Sequence, residues 1–134
     1  MANLLAVEGI GPVYAQKLNE AGIGSTQALL AAGGTPEGRK DIAGKTGIGD
    51  SLILRWVNHV DLFRIKGVGE EYSDLLEAAG VDTVVELAQR VAANLYARLV
   101  EVNQAEKRVR QLPTEAQVKA WIKQAKKLPR KISY

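Results

Sequence analysis

Apolar residues recur along the chain at three- and four-residue spacing between short breaks bearing glycine, proline or polar side chains. Nowhere do apolar and polar positions alternate over the length of a strand, so the pattern predicts helices. Pro12 stands where a helix begins, a place that tolerates proline because the first-turn N–H groups have no partner inside the helix. Val13, Leu18 and Ala21 give that helix an apolar side, and Gly22 ends it. Thr35-Pro36 reads as a cap followed by a first-turn proline, and Thr83 with Glu86 as a capping box. Asn103 with Glu106 reads as a looser box, and Thr114 with Gln117 opens a last helix that ends before Pro129. "VDTVV" at 81–85 is β-branched, but a capping signal interrupts it. The predicted fold class is all-α, with about eight or nine short helices.

The pattern occurs twice. "VEGIGPVYAQKLNEAGI" (7–23) and "IKGVGEEYSDLLEAAGV" (65–81) carry glycine, tyrosine, leucine and Ala-Gly at one spacing. A shift of 58 places Gly9, Gly11, Tyr14, Leu18 and Gly22 on Gly67, Gly69, Tyr72, Leu76 and Gly80. Further on, a shift of 65 sets Trp56 against Trp121, so the second copy holds seven extra residues in its middle. The expected organisation is two repeats, 1–64 and 65–134. Each is marginal in size for folding alone, so the two are expected to pack into one compact unit.

Gly9-Ile10-Gly11, Gly47-Ile48-Gly49 and Gly67-Val68-Gly69 each precede a helix pattern. Such a turn reverses the chain through positive φ, buries its middle residue and leaves amides projecting at a helix N-terminus, where a phosphate can approach. A plain tight turn is the better explanation of one such stretch taken alone; the matched repetition, with a third partial copy, shifts the balance toward the anion site.

"GIGPVYAQKL" resembles the helix-hairpin-helix signature, with Ala15 as the small residue where helices cross and Ser73 at that place in the second copy. "ILRWVNHVDLFRIKGVGEEYSDLLEAAGVDTVVELAQR" and "LPTEAQVKAWIKQAKKL" look like the bacterial family called domain of unknown function 4332, a resemblance covering essentially the whole chain. It implies an all-helical fold of two tandem helix-hairpin-helix repeats. It also implies a superfamily that mostly binds DNA without sequence preference, through backbone amides on phosphates; some members dock proteins instead.

Charge changes the picture more than composition does. The net charge is +3, but residues 1–102 hold nine Lys and Arg against thirteen Asp and Glu (−4), and residues 103–134 nine against two (+7). That imbalance points to an anionic partner or to one part docking on another. In the last helix Val118, Trp121, Ile122, Ala125 and Leu128 share one face, and Lys119, Lys123, Lys126, Lys127 and Arg130 the other. The plain alternative is a solvated face over a core stripe; five phosphate contacts would give a salt slope on the order of −4 to −5. No cysteine is present, which excludes disulfides and thiolate metal sites. No apolar run approaches the ~20 residues of a membrane span, and no signal peptide is apparent, so a cytoplasmic location is expected.

The preferred reading is a non-enzymatic module binding duplex DNA weakly and without sequence preference. Gly9, Ile10, Gly11 and Lys17 would form the phosphate site, and Lys119, Lys123, Lys126 and Lys127 a charged track. In the second hairpin Glu70, Glu71, Asp74 and Glu77 would repel phosphate, which gives the alternative: a protein-interaction or self-association module meeting a basic face. A third reading places a small ligand or monovalent cation at the hairpin carbonyls; no other cofactor is implied. His59, the single histidine, is expected at a helix surface or an interface, and no His-based metal cluster is expected. No catalytic triad, phosphate-binding loop or dinucleotide fingerprint is present.

Overall fold

The computed structural model describes residues 3–134. After a 3-10 turn at Leu4–Ala6 come α1 (Pro12–Glu20), α2 (Thr26–Gly33), α3 (Pro36–Thr46), α4 (Asp50–Leu62), α5 (Glu70–Ala78), α6 (Val84–Ala88), α7 (Ala92–Glu106) and α8 (Glu115–Ala125). The described residues contain no strand.

Local capping chemistry sets half of these starts. Ser25, Thr35, Thr83 and Thr114 each accept a hydrogen bond from the amide three residues on, at 3.1–3.3 Å, opening α2, α3, α6 and α8. At Thr114 the box closes fully, because Gln117 Oε1 accepts from the Thr114 amide at 2.8 Å. Glu86 reaches one residue further back and accepts from Asp82 at 3.1 Å. Asn103 corrects the sequence reading. It opens no helix but sits in the last turn of α7, where its Oδ1 accepts from the Val109 amide at 2.9 Å and folds the following loop back. An asparagine side chain binds a nearby amide equally well ahead of a helix or behind one.

The helices gather into two compact units: the residues up to Asp61 with Lys131–Tyr134, and Leu62–Arg130. The sequence division at 64/65 gave 131–134 to the second half; in the structure these four residues complete the first unit. In the first unit α3 packs on α1 and α2. In the second, α8 packs on α6 and α7, and α7 on α5, around Leu75, Leu76, Leu87, Leu95, Leu99 and Trp121.

The duplicated sequence produces duplicated geometry. Gly9 and Gly67 have φ of +94° and +96°. A Cβ at either would lie 3.2 or 3.3 Å from the indole nitrogen of Trp56 or Trp121. Each indole meets the tyrosine of its own copy, Tyr14 at 5.1 Å and Tyr72 at 5.3 Å between ring centroids. After α1 and α5 the amides of Ile23 and Val81 bond back to Leu18 and Leu76 at 2.8 Å, with Gly22 and Gly80 left-handed between them. This is the Schellman ending, its apolar residue buried in both copies.

The seven additional residues lie around the end of α7. Lys107 takes the left-handed place (φ +50°) that Gly47 holds after α3 (φ +75°), and a loop then runs to α8. His59 is fully buried in α4, at the position that Gln124 occupies in the second copy. Gln124 bonds both ways to the backbone of Lys66, at 2.9 and 3.3 Å, and so ties α8 to the second Gly-Val-Gly turn.

The two glycines of a turn differ, which makes a paired prediction. Gly69 is extended (φ −116°, ψ −153°), and a Cβ there would meet nothing within 4 Å. Gly67→Ala is expected to cost about 1–2 kcal/mol in urea unfolding, and Gly69→Ala to stay within about 0.5 kcal/mol. Equal losses would show that φ at position 67 is not what demands glycine.

Candidate nucleic-acid interface

At the first turn Ile10 is buried and pins the loop, its amide bonded to Val7 at 3.1 Å. Gly11 is the N-cap residue of α1, extended (φ −89°, ψ −176°), and no side chain caps the helix. A Cβ at Gly11, Gly49 or Gly69 would meet none of the described residues within 4 Å. Neither conformation nor packing therefore requires glycine at these three positions, and each leaves the backbone bare at a helix start. Lys17 does not support the first turn as expected. It lies in the last turn of α1, about 9 Å along the axis from Gly11 at 1.5 Å per residue.

The basic track is narrower than the sequence reading drew it. Helix α8 ends at Ala125, so Lys127 and Arg130 lie past its last turn and off the helical stripe. Lys119, Lys123 and Lys126 remain together, lining a cleft of about 450 Å³ with Arg90, Val91, Ala92 and Ile122. Val91 is 61% exposed and precedes α7, whose start no side chain caps. Four cationic side chains thus surround a helix N-terminus with uncapped amides, and both features favour an anion. Arg90 was missed because the sequence gives it no charged neighbours; the packing of α8 against α7 brings the lysines to it.

The acidic second hairpin is also rearranged. Asp74 is partly buried and bonded to Arg108 Nη1 at 2.9 Å, while Arg108 Nε holds Glu106 at 2.9 Å. Hydrogen bonds that Arg108 donates to Glu106 and then to Asp74 hold its guanidinium above its ordinary pKa. Glu77 is half-buried, whereas Glu70 and Glu71 are exposed. These two line a cleft of about 550 Å³ with Gly67, Gly69, Tyr72, Arg110 and Gln111. The four acids expected to form one free surface are therefore divided: Asp74 is neutralised by the loop that the second copy adds. That loop also delivers Arg110 to the turn and is anchored by Tyr72, whose hydroxyl donates to the Gln111 carbonyl at 3.0 Å.

The family described as a domain of unknown function (DUF4332) matches residues 8–128. The chain belongs to this family. No curated protein and no solved structure matches it. The match to the DUF4332 chain spans both compact units, from the residue before the first Gly-Ile-Gly turn to the turn after α8. Among the described residues no helix is long and apolar enough to cross a membrane.

Proposed function

We propose that the DUF4332 chain is a non-enzymatic, cytoplasmic module that binds duplex DNA through its phosphates, without reading base sequence. One observation carries this reading: Lys119, Lys123, Lys126 and Arg90 line a single cleft at the uncapped start of α7. Cations and free amides serve any phosphodiester backbone, and the cleft's lining includes none of the Asn, Gln, Asp or Glu side chains that pair with adenine or cytosine.

The bare second glycines support hairpin contacts of the same kind, with the Gly11 backbone amide approaching a phosphate. Gly11→Ala is expected to leave unfolding unchanged while weakening binding of a short duplex about tenfold, the worth of one amide bond to a charged oxygen. Unchanged affinity would remove the first hairpin from the interface.

Glu70 and Glu71, exposed in one cleft with Arg110, favour a second reading: a protein-docking face that takes a partner of mixed charge. Glu70→Lys with Glu71→Lys distinguishes the two. It should strengthen DNA binding if that face lies near the duplex, and should abolish capture of a partner if the face docks protein.

A further inference from the structure

The cleft at the start of α7 is not charged throughout: beside its cations it is lined by Val91, Ala92 and Ile122. Neither the core nor the helix accounts for Val91. It is 61% exposed, and it stands at the N-cap of α7, where valine is among the poorest residues and serine, threonine, aspartate or asparagine are preferred. Among the described residues no carboxylate pairs with Arg90, Lys119, Lys123 or Lys126. The three lysines follow one another at four- and three-residue steps along α8 and its C-cap, a row of about 10 Å at 1.5 Å per residue. Successive phosphates of one strand advance about 3.4 Å along a duplex axis, so a row of that length engages more than one of them. Two phosphates held in one cleft bring in the sugar that joins them, since the bases of a duplex stay inside the stack.

We propose that this apolar strip reads the sugar: Val91, flanked by Ala92 and Ile122, packs against deoxyribose, and the cleft disfavours ribose. The inference rests on the nucleic-acid reading above and settles what the charges leave open, because cations and amides meet the phosphates of DNA and RNA alike. The 2′-hydroxyl is the group by which a protein tells the two apart at a given site. Deoxyribose offers the strip a methylene at C2′. Ribose offers it a hydroxyl, which leaves water and meets no polar side chain among Val91, Ala92 and Ile122. A hydroxyl buried without a partner in this way weakens binding about tenfold. An exposed valine at a cap position, costly to the helix, is thereby given a role that a capping serine could not fill.

Three duplexes of one sequence and length, titrated with the full chain at one low salt concentration, test the proposal: DNA, RNA, and RNA with fluorine in place of every 2′-hydroxyl. The fluorinated duplex keeps the A-form and so separates the hydroxyl from duplex shape. The expected result is that DNA and the fluorinated duplex bind alike and RNA about tenfold more weakly. Val91→Gln supplies an amide that can pair with a 2′-hydroxyl and is not a preferred cap. It should bring RNA to within about threefold of DNA. Because Val91 is exposed, the thermal melt by circular dichroism should not move. DNA and RNA bound alike by the unaltered chain would overturn the proposal while leaving the nucleic-acid reading in place. A fluorinated duplex bound as weakly as RNA would also overturn it, since shape and not the hydroxyl would then decide. So would a preference for DNA that Val91→Gln leaves intact. If no duplex binds, the nucleic-acid reading fails and this inference fails with it.

Discussion

Trp121→Ala is expected to destabilise the second unit by about 3–5 kcal/mol, the range for deleting a buried aromatic side chain whose surroundings relax only partly. Trp121 is buried among Tyr72, Val118 and Ile122, and its indole nitrogen packs against Gly67. The substitution therefore removes the contact behind the second turn as well as core area. Trp56→Ala should do the same for the first unit, where Trp56 is fully buried beside Tyr14 and Gly9. Among the described residues Trp56 Nε1 has no hydrogen-bond partner, so its value there is packing and not polar pairing. Amide hydrogen exchange gives the sharper test. Each substitution should lower protection first in its own unit, and equal loss everywhere would mean that the copies do not have separate cores.

The second large effect concerns binding. Lys119, Lys123 and Lys126 are exposed, so neutralising all three to glutamine should change stability by no more than about 0.5 kcal/mol each. Each phosphate contact contributes a slope near −0.9 in log K against log salt. At 0.1 M salt that makes one contact worth about a factor of eight relative to 1 M. Losing three should therefore weaken duplex binding about 500-fold at 0.1 M. Lys127→Gln lies off the cleft and should change affinity far less. If Lys127 matters as much as Lys123, binding follows diffuse charge and not the cleft.

The helices were legible in the sequence where one residue and its near neighbours decide the outcome. Thr35, Thr83 and Thr114 cap where their spacing says, and Gly11, Gly49 and Gly69 stand directly before α1, α4 and α5. The all-α class follows from those local rules together with the apolar spacing. Asn103 misled because its side chain serves either end of a helix. Lys127 and Arg130 were drawn onto a helical face because 100° periodicity holds only while the helix continues, and α8 stops at Ala125.

The candidate site was legible only as charge. The basic excess after residue 102 is plain in composition, but its distribution depends on tertiary packing. Arg108 is spent on Asp74, Arg110 goes to the second turn, and Arg90, from the acidic part of the chain, joins the lysines. No spacing rule couples residue 90 to residue 119; only the packing of α8 beside α7 does.

Four cations in one cleft are proposed to hold DNA by its phosphates. Fluorescence anisotropy of a labelled duplex of roughly 20 base pairs, titrated at several salt concentrations, tests it most directly. The expected log–log salt slope is about −3 to −4 for the unaltered chain, falling to about −1 when Lys119, Lys123 and Lys126 are neutralised. Absence of binding even at low salt, or a slope that those three lysines leave unchanged, would contradict it.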